Sequence, residues 1–393
     1  MRLVFLTFAP LSSSAGHLAR LSFELKNLQK TNEISVVCLG KYKDDKETQC
    51  KYDKVRFYHL PIKFNGWNVV DVKGVSNSIY TLVGDIKPQL VVLQMEVWDL
   101  MMKLEEVFSK KFPFAVTIHA MPFLGSPVSF TGDFEKDVIK SAESQVELYK
   151  KEYILKHYTE ARILFSHLRI IANNATVACY LHTYFPHLNF WIQTPSIVIP
   201  ERKHLIANKH FQYDFVYMAR MESGKGVEYL EKIIPLIYDN LGRPFSVLIL
   251  GRTDDALSTK ALHRLIKISN YRYKVTYGGW ANTSKKALLL PDCGVFIYPS
   301  HHDNYPTVLS EALSIGLPCI TWKVPFSELN FSETLAVKKV DLFDFATFAK
   351  EAVMALNNRD ILMVEARRFV KSFPSKREIA KSDTVIFKDI SQS

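Results

Sequence analysis

Hydrophobic residues in the first half of the chain form short continuous runs, separated by longer stretches in which apolar positions recur every three or four residues. The runs are RLVFLTF, ISVVCL, KVRFYHL, QLVVLQ, FAVTIH and RILFSH; the periodic stretches are GHLARLSFELKNLQK, residues 73–84, residues 97–109 and a charged stretch over 134–158. Unbroken runs predict buried strands and periodic stretches predict helices with one apolar face. Their alternation predicts βαβ units on a parallel sheet. The second half repeats the grammar with FVYMAR, VEYLEKIIPLIYDN, FSVLILG, ALHRLIKI, KVTYGG, KKALLL, CGVFIYPS, PTVLSEALSI and PCITWK. Between the halves, PSIVIPERKHLIANKHFQYD, with Pro195 and Pro200, reads as a last strand followed by a linker. The fold class expected is therefore α/β, with two doubly wound domains facing each other across a cleft. Ligands of such sheets bind past the carboxyl ends of the strands.

At 393 residues the chain exceeds one ordinary core, which agrees with two domains. With 48% hydrophobic and 23% charged residues, its composition is globular and excludes disorder. The five cysteines are scattered and suggest neither a disulfide framework nor a zinc site, so a reducing compartment is expected. MRLVFLTFAPLSSSAG has some grammar of a secretory signal, but Pro10 cuts its apolar run and a buried first strand explains it equally well. No stretch approaches the length of a membrane span. The net charge of +10, with clusters at 41–54, Lys110–Lys111 and Lys150–Lys151, suits anionic partners as well as a plainly solvated surface.

Candidate chemistry sits where strands end. Residues 301–318, HHDNYPTVLSEALSIGLP, follow the apolar run CGVFIYPS and are periodic up to Gly316 and Pro318, which act as stop signals. On this helix Asn304, Thr307, Ser310, Glu311 and Ser314 fall on one polar arc, opposite Val308, Leu309, Ala312, Leu313 and Ile315. With Pro306 in the first turn, the amides of Thr307 and Val308 are left to meet an anion, and Glu311 lies about 10 Å along the axis from the helix start. An ordinary surface helix has the same stripe. In ARMESGKG, Arg220 and Lys225 flank another strand-to-helix loop; lone basic residues there are usually solvated. His119 ends FAVTIH, where a satisfied structural histidine is the common case. Gly16 opens the first helix without the GxGxxG of dinucleotide binders.

Taken in order, Gly16, His119, Arg220 with Lys225 five residues on, Gly251 in LILGR, and Asp303 with Glu311 in DNYPTVLSEALSIGLP resemble the GT-B glycosyltransferases of family 4, retaining enzymes that use nucleotide sugars. The resemblance is close over about 213–320 and thinner in the first half. Asp303 stands where glutamate is commoner, YP replaces FG, and IVIPERKH lacks the usual Asn-Gly. The resemblance implies a GT-B fold of two Rossmann-like domains: residues 1–205, joined by a C-terminal helix over 375–393, for the acceptor, and 206–374 for the nucleotide sugar. The tail carries Ile379, Val385, Ile386 and Ile390, too many apolar residues for a free end.

It further implies that Glu311 accepts ribose hydroxyls, that Asp303 binds hydroxyls of the donor sugar, and that His119 lies near the reacting centre. Asn304, Tyr305, Thr307, Val308, Gly16 and Gly251 complete the expected substrate contacts. The chain has no Asp-x-Asp pair to clamp a metal, so Arg220, Lys225 and the amides of Thr307 and Val308 are the groups expected to stabilise a leaving diphosphate. The expected activity is transfer of a hexose-type sugar from a UDP- or GDP-sugar to a glycan or lipid-linked acceptor, with no cofactor and no metal. The setting expected is cytoplasmic, with an anionic membrane face as an additional partner and no nucleic acid. Two alternatives stay open: an epimerase or hydrolase of the same architecture, which would turn over donor without acceptor, and a non-enzymatic basic binding module, which would show a steep salt slope.

Overall fold

The computed structural model describes residues 1–11, 16–41, 43–44, 46–65, 68–94, 97–108, 111–119, 132, 137, 151–195, 210–222 and 224–393. These form two compact units, one holding the first sheet and the last helix, the other holding the second sheet.

In the first unit the strands are β1 (Arg2–Thr7), β2 (Glu33–Cys38), β3 (Val55–His59), β6 (Leu90–Leu93), β7 (Phe114–Ile118), β8 (Arg169–Ala172) and β9 (Phe190–Ile192). They pair in parallel in the order β3-β2-β1-β6-β7-β8-β9; β4 (Phe64–Asn65) and β5 (Asn68–Val69) form a separate two-stranded ribbon. Every residue of β6 and β7 is buried, as continuous apolar runs covered on both faces should be. The last helix, Lys376–Gln392, starts with a capping box in which Ser375 and Glu378 satisfy each other's backbone amides. It buries Ile379, and it sets Ile386, Phe387 and Ile390 in this unit's core, with the Phe387 ring edge-on to Phe5 at 5.8 Å. Val385, on its other side, is 60% exposed.

The second unit contains β10 (Tyr213–Met218), β11 (Phe245–Leu250), β12 (Tyr273–Gly279), β13 (Cys293–Tyr298), β14 (Cys319–Trp322) and β15 (Val337–Val340). All pairs are parallel, in the order β12-β11-β10-β13-β14-β15. This is the doubly wound order 3-2-1-4-5-6, with its switch point between β10 and β13. The loops after those two strands therefore lie where a ligand crevice opens.

Two expectations are corrected. RILFSH is not a strand: the helix Lys151–Phe165 runs through it, burying Ala161, Leu164 and Phe165 while Ile163 stays 66% exposed, and the strand is the following RIIA. Three-residue periodicity wins over an apolar run when every third or fourth position faces the core. The helix starting after Pro306 also begins later than expected, at Thr307. The expected helical stretch over 134–150 and the strand part of 196–200 lie outside the described residues, apart from Asp137.

Candidate active site

The chain leaves β10 at Met218, and residues 219–221 run on beside the end of β11: Ala219 N–H donates to Leu250 O (3.1 Å) and Met221 N–H to Arg252 O (2.8 Å). Gly251 sits at φ +140°, and a Cβ there would lie 1.8 Å from Ala219 O. Close backbone approach thus accounts for this glycine without any ligand. Arg220 projects from the paired segment with its guanidinium half exposed, held by Glu222 (2.8 Å) and Asp254 (3.5 Å).

The next turn of chain, Gly224-Lys225-Gly226, is fastened to the loop after β13. Gly224 and Gly226 have φ +87° and +92°, which L side chains rarely adopt. Gly224 O accepts from the amides of His301 (3.0 Å) and His302 (3.2 Å) and from Ser300 Oγ (3.1 Å). A Cβ at Gly226 would meet Pro299 O at 2.2 Å. Glu228 Oε1 accepts from Gly224 N–H (3.0 Å), and Tyr217 Oη donates to Lys225 O (3.1 Å).

This latch sets Lys225 against Asp303. Lys225 Nζ donates to His302 O (2.6 Å) and Asp303 Oδ2 (2.9 Å), with the two side chains only 13% and 16% exposed. Tyr298 Oη donates to the same Oδ2 (2.6 Å), and Asn304 N–H reaches Oδ1 (3.1 Å). Burial works against ionisation of Asp303, but the Lys225 ammonium and the Tyr298 hydroxyl outweigh it and hold the carboxyl below its usual range. The neighbouring His301 and His302 are pushed down to about 4 and about 3, by burial first and then by Lys225. Both imidazoles are therefore neutral at pH 7. The negative charge of Asp303 also acts on Arg220, which links the two cations through one carboxylate.

The helix after this loop is Thr307–Ser314, with Pro306 as its extended cap and no side chain capping it. Pro306 is thus ahead of the first turn rather than in it, and Glu311 stands four residues from the start, about 6 Å along the axis instead of about 10 Å. The first amides, those of Thr307 and Val308, precede Leu309, whose N–H goes to Pro306 O (3.0 Å). Ser310 is not on a solvated stripe: it is 1% exposed and bonded to Tyr305 Oη (3.0 Å), whose ring stacks on Phe331. Asn304 O accepts from Asn330 Nδ2 at 3.4 Å. Lys286 Nζ bridges both oxygens of Glu311, at 2.7 and 3.0 Å.

In the first unit, His119 directly follows β7. Its Nε2 meets Gln94 Oε1 (3.1 Å) and its Nδ1 meets Asn173 Nδ2 (2.7 Å). Gly16 is the first residue of the helix Gly16–Leu28, and the preceding 12–15 lie outside the described residues. Of the residues singled out in the sequence, Lys225 and Asp303 are brought into one ion pair, while Glu311 pairs with Lys286 and Asp303 accepts from Tyr298, two partners the sequence reading missed. The glycines of SGKG and the doubled histidine before Asp303 were readable signals; Tyr298, hidden in an apolar run, and Lys286, 25 residues from Glu311, were not.

Residues 201–329, which include Arg220, Lys225, Asp303 and Glu311, match the family Glycosyl transferases group 1. A curated relative, 2-deoxystreptamine N-acetyl-D-glucosaminyltransferase of Niallia circulans, is 24% identical over 276 residues, a match spanning 67% of this chain and 66% of the relative. Among solved structures, sucrose-phosphate synthase from Thermosynechococcus elongatus aligns over 99% of both chains at TM-score 0.72 and 13% identity. A glycosyltransferase from Rickettsia africae aligns over 99% of this chain and 98% of its own at TM-score 0.69 and 14% identity. The fold is GT-B. The Anabaena protein HepE, solved with UDP and glucose, shares it at TM-score 0.68 and 11% identity over 98% of this chain and 99% of its own. Within this GT-B chain, Lys225, Asp303 and the start of Thr307–Ser314 stand at the switch point of the second sheet. The family match and the curated relative are both to glycosyltransferases.

Proposed function

We propose that this chain is a retaining glycosyltransferase that moves a hexose-type sugar from a UDP- or GDP-sugar to a glycan or lipid-linked acceptor without a metal. The observation that carries the reading is the switch-point cluster of the second unit, where Lys225 is fixed between His302 O and Asp303 beside a helix start. An ammonium has three N–H donors, and these two acceptors use two of them, which leaves the third for an oxygen of the donor diphosphate. Arg220 and the amides of Thr307 and Val308 add charge and donors aimed at the same leaving group. Asp303, kept ionised, accepts from hydroxyls of the donor sugar, and Glu311 accepts from the ribose. Gly251, Asn304 and Tyr305 shape the donor site, Gly16 and His119 serve from the first unit, which takes the acceptor. Two neighbours of this fold were solved with UDP, HepE together with glucose and the pneumococcal GtfA together with GlcNAc, which supports a uridine donor class.

Among the described residues no helix is long and apolar enough to cross a membrane. With a net charge of +10, we propose reversible attachment to an anionic membrane face, where each well-placed Lys or Arg gains about 1 kcal/mol. Incubation with UDP- and GDP-sugars, with and without glycan acceptors and EDTA, tests the activity: acceptor-dependent release of nucleoside diphosphate that survives EDTA is expected, with the product anomer matching the donor by NMR. Donor turnover without acceptor would favour the epimerase or hydrolase alternative, and an inverted product would overturn retention.

A further inference from the structure

Behind His119 a chain of polar side chains runs through the core of the first unit. Gln94, at the end of β6, is fully buried; its Oε1 faces His119 Nε2 and its Nε2 donates to Glu24 Oε2 at 3.3 Å. Glu24, 1% exposed in the helix Gly16–Leu28, also accepts from Gln193 Nε2 at 2.8 Å and pairs with Arg20 Nε at 3.3 Å. Arg20 in turn pairs with Asp383 of the last helix, itself fully buried. On the other side of the imidazole, Asn173 Nδ2 meets Nδ1, Asn174 Nδ2 donates to Asn173 Oδ1, and Asn174 Oδ1 caps the helix Ala175–Tyr184 by accepting from Val177 N–H at 3.0 Å.

The direction of every bond in this chain follows from its two ends. An ionised carboxylate only accepts, so Gln94 must turn its amide nitrogen to Glu24 and its oxygen to His119. His119 must then donate from Nε2. From the other end, the Val177 amide fixes the orientation of Asn174, Asn174 that of Asn173, and Asn173 makes His119 Nδ1 an acceptor. Both ends demand the same neutral tautomer. We propose that Glu24 is a positioning residue for His119: its carboxylate, paired with Arg20, decides whether Gln94 turns its oxygen or its nitrogen toward the Nε2 proton of His119.

A donor on the Glu24 oxygen that faces Gln94 would force that amide to flip and present N–H to N–H at His119. In Glu24→Gln the new amide nitrogen faces either Gln94 or the Arg20 guanidinium, and the cation turns it toward Gln94. Wild-type protein reaches the same state by taking up a proton. Two carboxylates share one guanidinium here, and burial pushes Glu24 up to about 7 and Asp383 up to about 6. The groups facing Glu24 are Arg20 on its own helix, Asp383 on the last helix, and the neutral amides of Gln94 and Gln193 at the strand ends.

The proposal rests on the reading that His119 takes part in transfer, and the test separates the two. The imidazole resonances of His119 are followed by nitrogen-15 NMR in the full chain, from pH 8.5 to 5.5, alongside kcat/KM for transfer. In wild type the protected Nε2 proton should be seen at pH 8.5 and lost by pH 5.5. At pH 8.5, Glu24→Gln should reproduce the spectrum of Gln94→Leu, which removes the acceptor directly. Asp383→Asn removes a negative charge beside Glu24 and leaves Arg20 to Glu24 alone, so it should extend the protection to lower pH, and Asp383→Glu should return the wild-type pH dependence. Transfer should fall at least tenfold in Glu24→Gln, with loss of the corresponding limb of the pH profile. A His119 spectrum unchanged in Glu24→Gln while Gln94→Leu alters it would overturn the proposal, and so would a wild-type spectrum that ignores pH. Spectral changes with undiminished transfer would uphold the positioning and remove His119 from the reaction.

Discussion

Arg220 and Lys225 carry equal formal charge but differ in what each holds in place. Arg220 is half exposed, and its partners Glu222 and Asp254 are themselves partly solvated, so its replacement leaves no buried charge alone. Lys225 neutralises an almost buried carboxylate, and removing one partner of such a pair costs about 3–5 kcal/mol. Arg220→Ala is therefore expected to lower turnover by about 10² to 10³, the scale for one charge-stabilising donor, with unfolding nearly unchanged. Lys225→Ala should lose activity and stability together, and Lys225→Ala/Asp303→Asn should recover much of the stability but none of the activity. Denaturant unfolding beside steady-state kinetics checks all three; an Arg220→Ala enzyme at wild-type rate would remove this residue from leaving-group stabilisation. At this scale the sequence was legible where charged residues stand in short loops after strands, as with Lys225 and Asp303, which pair with each other. It was not legible for Arg20 and Glu24, which as an i,i+4 pair in GHLARLSFELKNLQK read as surface charge and are instead buried at 5% and 1% exposure. Nothing local announces that an aspartate 359 positions beyond Glu24 will share the pair.

Elements were legible in proportion to how much of them the core covers. The strands CGVFIY and FSVLIL, buried along nearly all their length, coincide with their apolar runs. β15, VKKV, is missed because its two lysines lie half buried between buried valines, so no apolar run marks it. RILFSH fails in the opposite way, an apolar run inside a helix. The last helix shows the same distinction side by side. Phe387→Ala removes a fully buried ring that packs on Phe5 and should destabilise the first unit by about 3–5 kcal/mol, while Val385→Ala should stay within about 0.5 kcal/mol. Both follow from urea unfolding of the first unit. Equal losses in the two variants would mean that the helix does not pack on this face.

Over the whole molecule, the two units carry buried titratable groups of opposite sign. In the first, Glu24 and Asp383 have raised values; their contribution to stability is complete below about pH 4 and is lost as pH rises through about 6 to 7. In the second, His301 and His302 are held neutral; their contribution is complete above about pH 6.5 and is lost as pH falls toward 4 and 3, up to about 3 kcal/mol for His301 and about 5 kcal/mol for His302. Lowering pH from 7.5 to 5 should therefore weaken the second unit and strengthen the first. Amide hydrogen exchange, corrected for the intrinsic rate and resolved by unit, reads both signs at once, and a shift of the same sign in both units would refute the assignment.

The central claim is that the switch-point cluster of the second unit binds the diphosphate of a nucleotide-sugar donor. Thermal unfolding of the wild-type chain with UDP, GDP, the corresponding monophosphates and their sugars tests it directly, because a ligand at 100 times its dissociation constant adds about 2.7 kcal/mol. The account predicts that one nucleoside diphosphate and its sugar raise the midpoint well beyond the monophosphate, and that Arg220→Ala removes most of the difference. If no nucleoside diphosphate moves the midpoint, or if diphosphate and monophosphate act alike in wild type and Arg220→Ala, the claim is contradicted.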